Sequence, residues 1–390
     1  MKSSETRILT SHTGSLPRPP ELTRLYAARV RGEEVDEAQL EEAGRAAVPW
    51  NVAKQIECGI DVVNNGEQQR ESFVLYMRRR LSGLGGEGKR NSAADLDKYP
   101  LFKEMQKTLN SAKVSVKNTD FIPKAIGEVH YLDRAAVEDE CSVFEKALAE
   151  NKGKYVDAFY TAPSPGLLST IINDDFYHDR DAYLAALSAA LKVEYETIHR
   201  HGFVLQVDCP DLAMERHMQF RDKPLSDFLE FVEAVVASIN GALENVPQDQ
   251  VRMHLCWGNY EGPHDEDLPL KEVLPIVLKM KVGGFVLPFA NPRHAHEYHE
   301  LQNLKALDGK IVVAGVIDTL TNVVEHPEVI AERLERIVKS VGDPHRVLAG
   351  TDCGFDTSAG NSRVAPDVAW GKLKSLSEGA RIASKRIFGN

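Results

Sequence analysis

The sequence predicts an α/β fold, a single (β/α)8 barrel of the TIM type. Three observations carry that expectation. Short apolar, β-like runs alternate with longer helical patterns along the chain, which implies parallel βαβ units. The alternation recurs often enough to favour a closed barrel over an open sheet. The 390 residues are 43% hydrophobic and 27% charged, the composition of a globular protein with a sizeable core. No linker, internal repeat or low-complexity tract divides 1–390, so one barrel is expected to account for all of it.

The first β-like runs are Arg7–His12 and Asp61–Asn65. Further runs follow at Lys124–Val129, Ala158–Ala162, Phe203–Asp208, Arg252–Cys256, Gly284–Phe289, Lys310–Val316 and Arg346–Thr351. That is one run too many for an eight-stranded barrel. Lys124–Val129 follows a polar stretch from Gly83 to Asn118, so residues 83–129 are read as an insertion or hairpin after the second strand. Its opening, Gly83 to Ser92, is glycine-rich and charged but lacks the Gly-Lys-Ser/Thr ending of a phosphate loop. An excursion over the catalytic face is the expected role. Helical patterns fill the intervals at Asp181–His201, Ser226–Leu243, Leu270–Met280, Pro327–Val341 and Pro366–Ile387. The tail Ala365–Asn390 reads as the closing helix, with an interface between copies, and so a homo-oligomer, as its other use.

Charge excludes several classes of function. With 47 basic against 58 acidic residues, the net charge is −11, and a nucleic-acid partner would need a basic face. No apolar run is long enough to span a bilayer. Met1 to Arg7 lacks the apolar core of a signal peptide, so a cytoplasmic location is expected. The five cysteines are too sparse for a disulfide framework. Cys58 and Cys141 sit in helical patterns and read as packing residues, whereas Cys209, Cys256 and Cys353 each follow a strand-like run.

In a barrel the C-terminal ends of the strands converge on one face, where distant positions can meet. Two such ends read His254-Leu255-Cys256 and Asp352-Cys353-Gly354. One imidazole and two thiolates suit Zn2+, which favours N and S ligands in tetrahedral geometry. The H-x-C pattern is weak alone, since a buried Cys is usually a small hydrophobe. Other strand ends add polar groups. Ser15 offers a hydroxyl and an amide to a carboxylate, and Gly14 allows close backbone approach. Glu67, after a strand and a glycine, is placed to bind an ammonium group, or equally to cap a helix beginning near Glu71. Asp208 ends a strongly apolar strand, where an unpaired carboxylate is costly. Asp318 also ends an apolar strand, and Trp257 to His264 form a loop able to cover a ligand.

Taken together, these segments resemble the catalytic C-terminal barrel of the cobalamin-independent methionine synthase family. The resemblance rests on Thr13–Arg18, Asn65–Glu67, Gln206–Asp208, His254–Cys256, Gly315–Asp318 and Asp352–Gly354, in that order. It implies that His254, Cys256 and Cys353 hold zinc and that the metal activates the thiol of homocysteine. It further implies that Glu67 and Asp208 hold the amino group, Ser15 the carboxylate, and that a methyl group is transferred to sulfur. The methyl donor would be a methyl-folate or a corrinoid carrier; with one barrel in place of two, a polyglutamylated folate is the less expected.

Departures from the family pattern qualify these implications. Ala290 stands where a Glu would be the fourth zinc ligand, leaving a water or, as weak candidates, Asn291, His294 and Glu297 to substitute. The family's proton-donating His after Asp318 is missing, so Asp318 with His264 or His12 is expected to serve the proton. Cys209 follows Asp208 where the family usually has Glu. These changes keep open an epoxyalkane:coenzyme M transferase-like reading, in which a zinc-thiolate adds to an epoxide or other activated carbon. A reading from another class is a catalytically inactive small-molecule-binding barrel, against which the intact His254, Cys256 and Cys353 argue.

Overall fold

The computed structural model describes residues 1–90, 93–110, 114–116, 122–302, 304–307 and 309–389. Its centre is a seven-stranded sheet, every neighbouring pair parallel. The strands are β1 Val62–Val63, β2 Asp157–Pro163, β3 Val204–Asp208, β4 Val251–His254, β5 Gly284–Pro288, β6 Ile311–Ile317 and β7 Val347–Thr351. Each pairs with the next in chain order. Parallel strands covered on both faces are apolar along their length, and β6 (IVVAGVI) is buried at every position.

The N-terminal stretch, expected as a full strand over Arg7–His12, contributes a single parallel bridge from Thr10 to Ala349 of β7. Its other side is also bonded: the amides of Asp61 and Val62 donate to the Thr10 carbonyl at 3.1 and 2.9 Å. The two edge strands of the sheet therefore meet the same short piece of chain.

Helices cover the outer face at Arg180–Arg200, Leu225–Ala242, Leu270–Val277, Pro327–Val341 and Pro366–Phe388, close to the periodic patterns. Their ends are chemically marked. Asp179 accepts from the Ala182 amide to start the first, and Gly342, at φ 79°, terminates Pro327–Val341 in the left-handed region.

Side chains alternate along each strand, so one set packs outward against helices and the other faces the enclosed side. The enclosed set begins with a small separate cluster: Leu9, Val62, Phe159, Val204, Val286, Ile311, Val313 and Leu348. Two residues further along β3 the same face turns polar at Gln206, and two further at Asp208. The apolar floor thus gives way to the chemistry within one strand.

Lys124–Ala125 belongs to a second, three-stranded sheet, antiparallel to Leu84–Gly85 and parallel to Asn173–Asp174. Within 83–129, residues 91–92, 111–113 and 117–121, including the Asn91, Ser92 and Asn118 of the sequence reading, lie outside the described residues. No helix begins at Glu71; a 3-10 turn spans Leu75–Arg79, and Glu71 is buried against Arg79 at 2.6 Å. Among the described residues no helix is long and apolar enough to cross a membrane.

Asp211, just beyond β3, shows how tightly this end of the sheet is packed. Its Oδ1 accepts from the Ser164 hydroxyl at 2.7 Å, while Oδ2 has no hydrogen-bond partner among the described residues. Burial lifts its pKa from 3.8 to about 7. The folded chain therefore keeps a proton that the unfolded chain has released. The stability that this group contributes is fully present below pH 3.8 and is lost as pH rises through about 7. Asp211→Asn should remove this slope: equal to wild type near pH 4, it should be more stable by roughly 1–3 kcal/mol at pH 8. Denaturant unfolding at the two pH values measures the difference.

Candidate functional site

His254 ends β4, and Cys256 lies two residues past the strand rather than inside it. Cys353 follows β7 by the same interval. The Cys353 sulfur is 3.7 Å from His254 Nε2 and 3.9 Å from the Cys256 sulfur. All three donor atoms lie within 4.8 Å of one another. A tetrahedral ion with bonds of about 2.3 Å to sulfur has S···S edges of about 3.8 Å, so the donors are already spaced for a metal. His254 Nδ1 faces the Val286 carbonyl at 3.4 Å, so Nε2 is the nitrogen turned toward Cys353 and able to bind a metal.

The local electrostatics favour a thiolate. The Cys353 thiol donates to Cys256 and holds it well below the ordinary thiol range, with the imidazole of His254 adding to the effect. Cys353 is correspondingly pushed up. Burial disfavours charge on His254, but Cys256 outweighs it and raises the imidazole.

These ligands open onto a cavity of about 310 Å³. It is also lined by Ser15, Glu67 and Asp208. Register explains part of the convergence, because Asp208 is paired with His254 across β3 and β4. Asp208 is buried, takes the Gln206 amide at 2.8 Å, and is lifted by burial to about 7, with Glu67 adding to the shift. Glu67 stands at φ 56° after Gly66 at φ 67°. Its Oε1 accepts from Thr161 at 2.9 Å, and its Oε2 is buried with no hydrogen-bond partner among the described residues. Burial pushes its pKa up, partly offset by Arg18 and Arg70. Buried carboxylates this poorly paired are costly unless a cation completes them.

Gly14, at φ 140°, makes this approach possible: a Cβ there would sit 2.7 Å from Glu67 Oε1 and 2.8 Å from Thr161 Cγ2. Gly354 does the same for Ser15, whose hydroxyl lies 2.0 Å from where a Cβ would be.

The remaining expected residues lie elsewhere. His264 and Asp318 do not line this cavity; they border a much smaller void behind Cys256 and Cys353. His264 has both ring nitrogens engaged, with Asp267 at 2.7 Å and the Tyr260 carbonyl at 2.9 Å. Asp318 caps its own turn by accepting from the Leu320 amide. His12 bonds Gln55 and the Gly14 amide, and burial drives its pKa down to about 3. Cys209 is buried with its thiol donating to the Val207 carbonyl. Glu297 is engaged by Leu270 and His294, and buried Ala290 offers only a methyl group.

Several residues that shape the site were given no role by the sequence reading, although Arg18, Gly315 and Asp352 lie in segments it named. Asp352 receives the Phe289, Ala290 and Asn291 amides at 3.0, 2.9 and 2.6 Å, clamping the loop after β5 to the one carrying Cys353. Gly315 leaves room for that carboxylate, since a Cβ would lie 2.5 Å from its Oδ1. Arg18 donates to the Glu67 carbonyl at 3.0 Å and to Asp356 at 2.9 Å. Arg252, inside the sheet, reaches Gln206, Ser11 and the His12 carbonyl. An ionisable residue within an otherwise apolar strand was the available signal for Arg252; the others fall inside the motif segments, where nothing local marked their roles.

A family model described as cobalamin-independent synthase, catalytic domain, matches residues 133–368. A methionine synthase of Pyrococcus abyssi is 22% identical over 97% of this chain and 93% of its own length. A 5-methyltetrahydropteroyltriglutamate–homocysteine methyltransferase of Corynebacterium glutamicum is 26% identical over 97% of this chain and 44% of its own length. A solved B12-independent methionine synthase from Shewanella sp. W3-18-1, in complex with selenomethionine, aligns with TM-score 0.74 at 22% identity. That alignment covers 98% of this chain and 100% of the other.

Gly14→Ala should force both a left-handed alanine and a clash with Glu67, lowering stability by about 1–3 kcal/mol. Chemical denaturation measures the loss, and a structure of the variant should show the Glu67 carboxylate displaced.

Proposed function

Because the chain belongs to the cobalamin-independent methionine synthase family, we propose that it transfers a methyl group to homocysteine, giving methionine. The observation that carries this reading is one cavity lined by two kinds of group: metal-ligating His254, Cys256 and Cys353, and the under-paired carboxylates of Glu67 and Asp208. Homocysteine carries a thiol for the first and an ammonium for the second.

Held by His254, Cys256 and Cys353, a zinc ion would supply the Lewis acidity that keeps a thiol deprotonated at neutral pH. Ala290 brings a methyl group in place of a carboxylate, so that position would add no fourth side-chain ligand. The protein's own groups do the rest. Glu67 Oε2 and Asp208 accept the ammonium protons, and the Ser15 hydroxyl faces the carboxylate. Phe73, Leu96, Met214 and Met218 wall the cavity, excluding water where the methyl donor approaches. Sulfur attacks the methyl carbon in line; the S–C bond forms while the bond from that carbon to its carrier breaks, the electron pair staying with the carrier. A methylated corrinoid satisfies this balance as written; a methyl-folate also needs a proton on the departing nitrogen, and the proton given up by the homocysteine thiol balances it.

The carboxylates bear on the competing reading. Coenzyme M bears a sulfonate where homocysteine bears an ammonium, and Glu67 with Asp208 would repel it. The fold we propose around the site is a closed (β/α)8 barrel. Residues 9–11 complete it between β7 and β1, and residues 83–129 form an insertion after the second strand.

Homocysteine binding at neutral pH should release one proton, while coenzyme M should release none, as read by titration in weak buffer. Methyltetrahydrofolate and methylcobalamin, offered in turn, should identify the donor by methionine formed. Cys353→Ser should lose one metal equivalent per chain and the activity with it. Glu67→Gln should keep the metal but weaken homocysteine binding by roughly 10- to 100-fold, the worth of one charge-assisted hydrogen bond. A Glu67→Gln enzyme that binds homocysteine like wild type would remove the ammonium assignment.

A further inference from the structure

A second group of metal-ligating side chains lies behind the thiolate site and is used by nothing above. Asp267 Oδ2 meets His264 Nδ1 at 2.7 Å and His294 Nε2 at 2.8 Å, and the three donor atoms lie within 4.8 Å of one another. All three residues are buried.

The far nitrogen of each imidazole is held by an acceptor. His264 Nε2 donates to the Tyr260 carbonyl at 2.9 Å, and His294 Nδ1 to the Glu297 carboxylate at 2.9 Å. Glu297 is itself fixed by the Leu270 amide at 2.8 Å. Metal-bound histidines are oriented in this way, an outer N–H on a carbonyl or carboxylate and the inner nitrogen on the ion. The inner nitrogens of both rings thus converge on a single carboxylate oxygen.

His217 is an independent observation. It is 2% exposed, and its Nδ1 stands 3.1 Å from Asp267 Oδ1. Even so, neither ring nitrogen of His217 nor Asp267 Oδ1 makes a hydrogen bond among the described residues. Unmade hydrogen bonds at buried polar atoms cost about 1–3 kcal/mol each. Here they converge on one carboxylate.

We propose that His264, Asp267 and His294, with His217 as fourth donor, form a second site for a divalent transition metal of the zinc type. The N and O donors suit zinc. Their present N···O separations are shorter than the edges of about 3.3 Å expected for bonds of about 2.0 Å, so the rings must retreat slightly when the ion enters.

The site would act as a staple between loops. His217 comes from the turn Glu215–His217 after β3, His264 and Asp267 from the loop after β4, and His294 from the loop after β5. Trp257, next to Cys256, stacks on His294 at 3.8 Å, and Tyr260, in the cavity wall, stacks on His264 at 4.4 Å. An ion here would therefore fix the loop that carries Cys256.

Cobalt titration of metal-free, full-length protein tests this, because cobalt bound to thiolates shows an intense charge-transfer band and cobalt bound to N and O donors does not. Wild type should take up two equivalents, only one of them with the charge-transfer band. The double variant His264→Gln, His294→Gln should take up one equivalent and keep the band. Cys256→Ser with Cys353→Ser should also take up one and lack the band, so failure of the thiolate site is distinguishable from failure of this one. Wild type saturating at one equivalent, or a second equivalent that survives the histidine substitutions, overturns the proposal. The wild-type titration decides even if a variant does not fold.

Discussion

The guanidinium of Arg252 stands where the apolar floor of the sheet meets its polar end, and the order of the site depends on it. Its plane lies over the Phe159 ring at 3.7 Å, while its donors reach Gln206 at 2.9 Å and Ser11 and the His12 carbonyl at 3.0 Å each. Gln206 relays the arrangement upward by donating to Thr13 and to Asp208. Strands β3 and β4 and the N-terminal stretch are thus joined through one side chain. Burial lowers its pKa to about 9, so the charge is held at some cost. A planar, five-donor group suits this position because it can reach three elements at once, which an ammonium on a flexible stem would do less rigidly.

Above Arg252 the carboxylates are treated differently, and the differences divide structural from chemical roles. Asp352 is surrounded by backbone amides and clamps two loops. Asp356 is paired with Arg18. Glu67 keeps one buried oxygen without a hydrogen-bond partner, and Asp208 is pushed toward neutral pH by burial. Carboxylates left in this state lower the stability of the empty protein and raise the gain on binding a cation, a common relation between stability and function.

Much of this was legible in the sequence, for physical reasons. Helices with a strong apolar stripe and strands with a continuous apolar run announce themselves locally, so Pro327–Val341 and β6 fall close to where the pattern puts them. Ser15, Glu67, Asp208, His254, Cys256 and Cys353 could be named because each follows an apolar run, and parallel strands end on a common side. The Arg7–His12 run shrank to a bridge at Thr10 because its hydrogen bonds go to both sheet edges over a few atoms only. His264 and Asp318 were named from position alone; they border the small void shared with Cys256 and Cys353 rather than the main cavity, a distinction set by loop paths that have no periodicity to read. The amide cradle of Asp352 and the His217–Asp267 approach join positions from different loops, and no local signal encodes them.

The bonding of Thr10 to both Val62 and Ala349 has a further consequence, for biosynthesis. During vectorial synthesis the first strands emerge long before their last neighbour, and the N-terminal segment must wait for a partner more than three hundred residues away. Contacts of such sequence separation form late and slowly. Cys353 follows that last strand, so it cannot meet His254 and Cys256 on a nascent chain whose sheet is incomplete. Until then Cys256 lacks the neighbour whose thiol faces it in the folded protein.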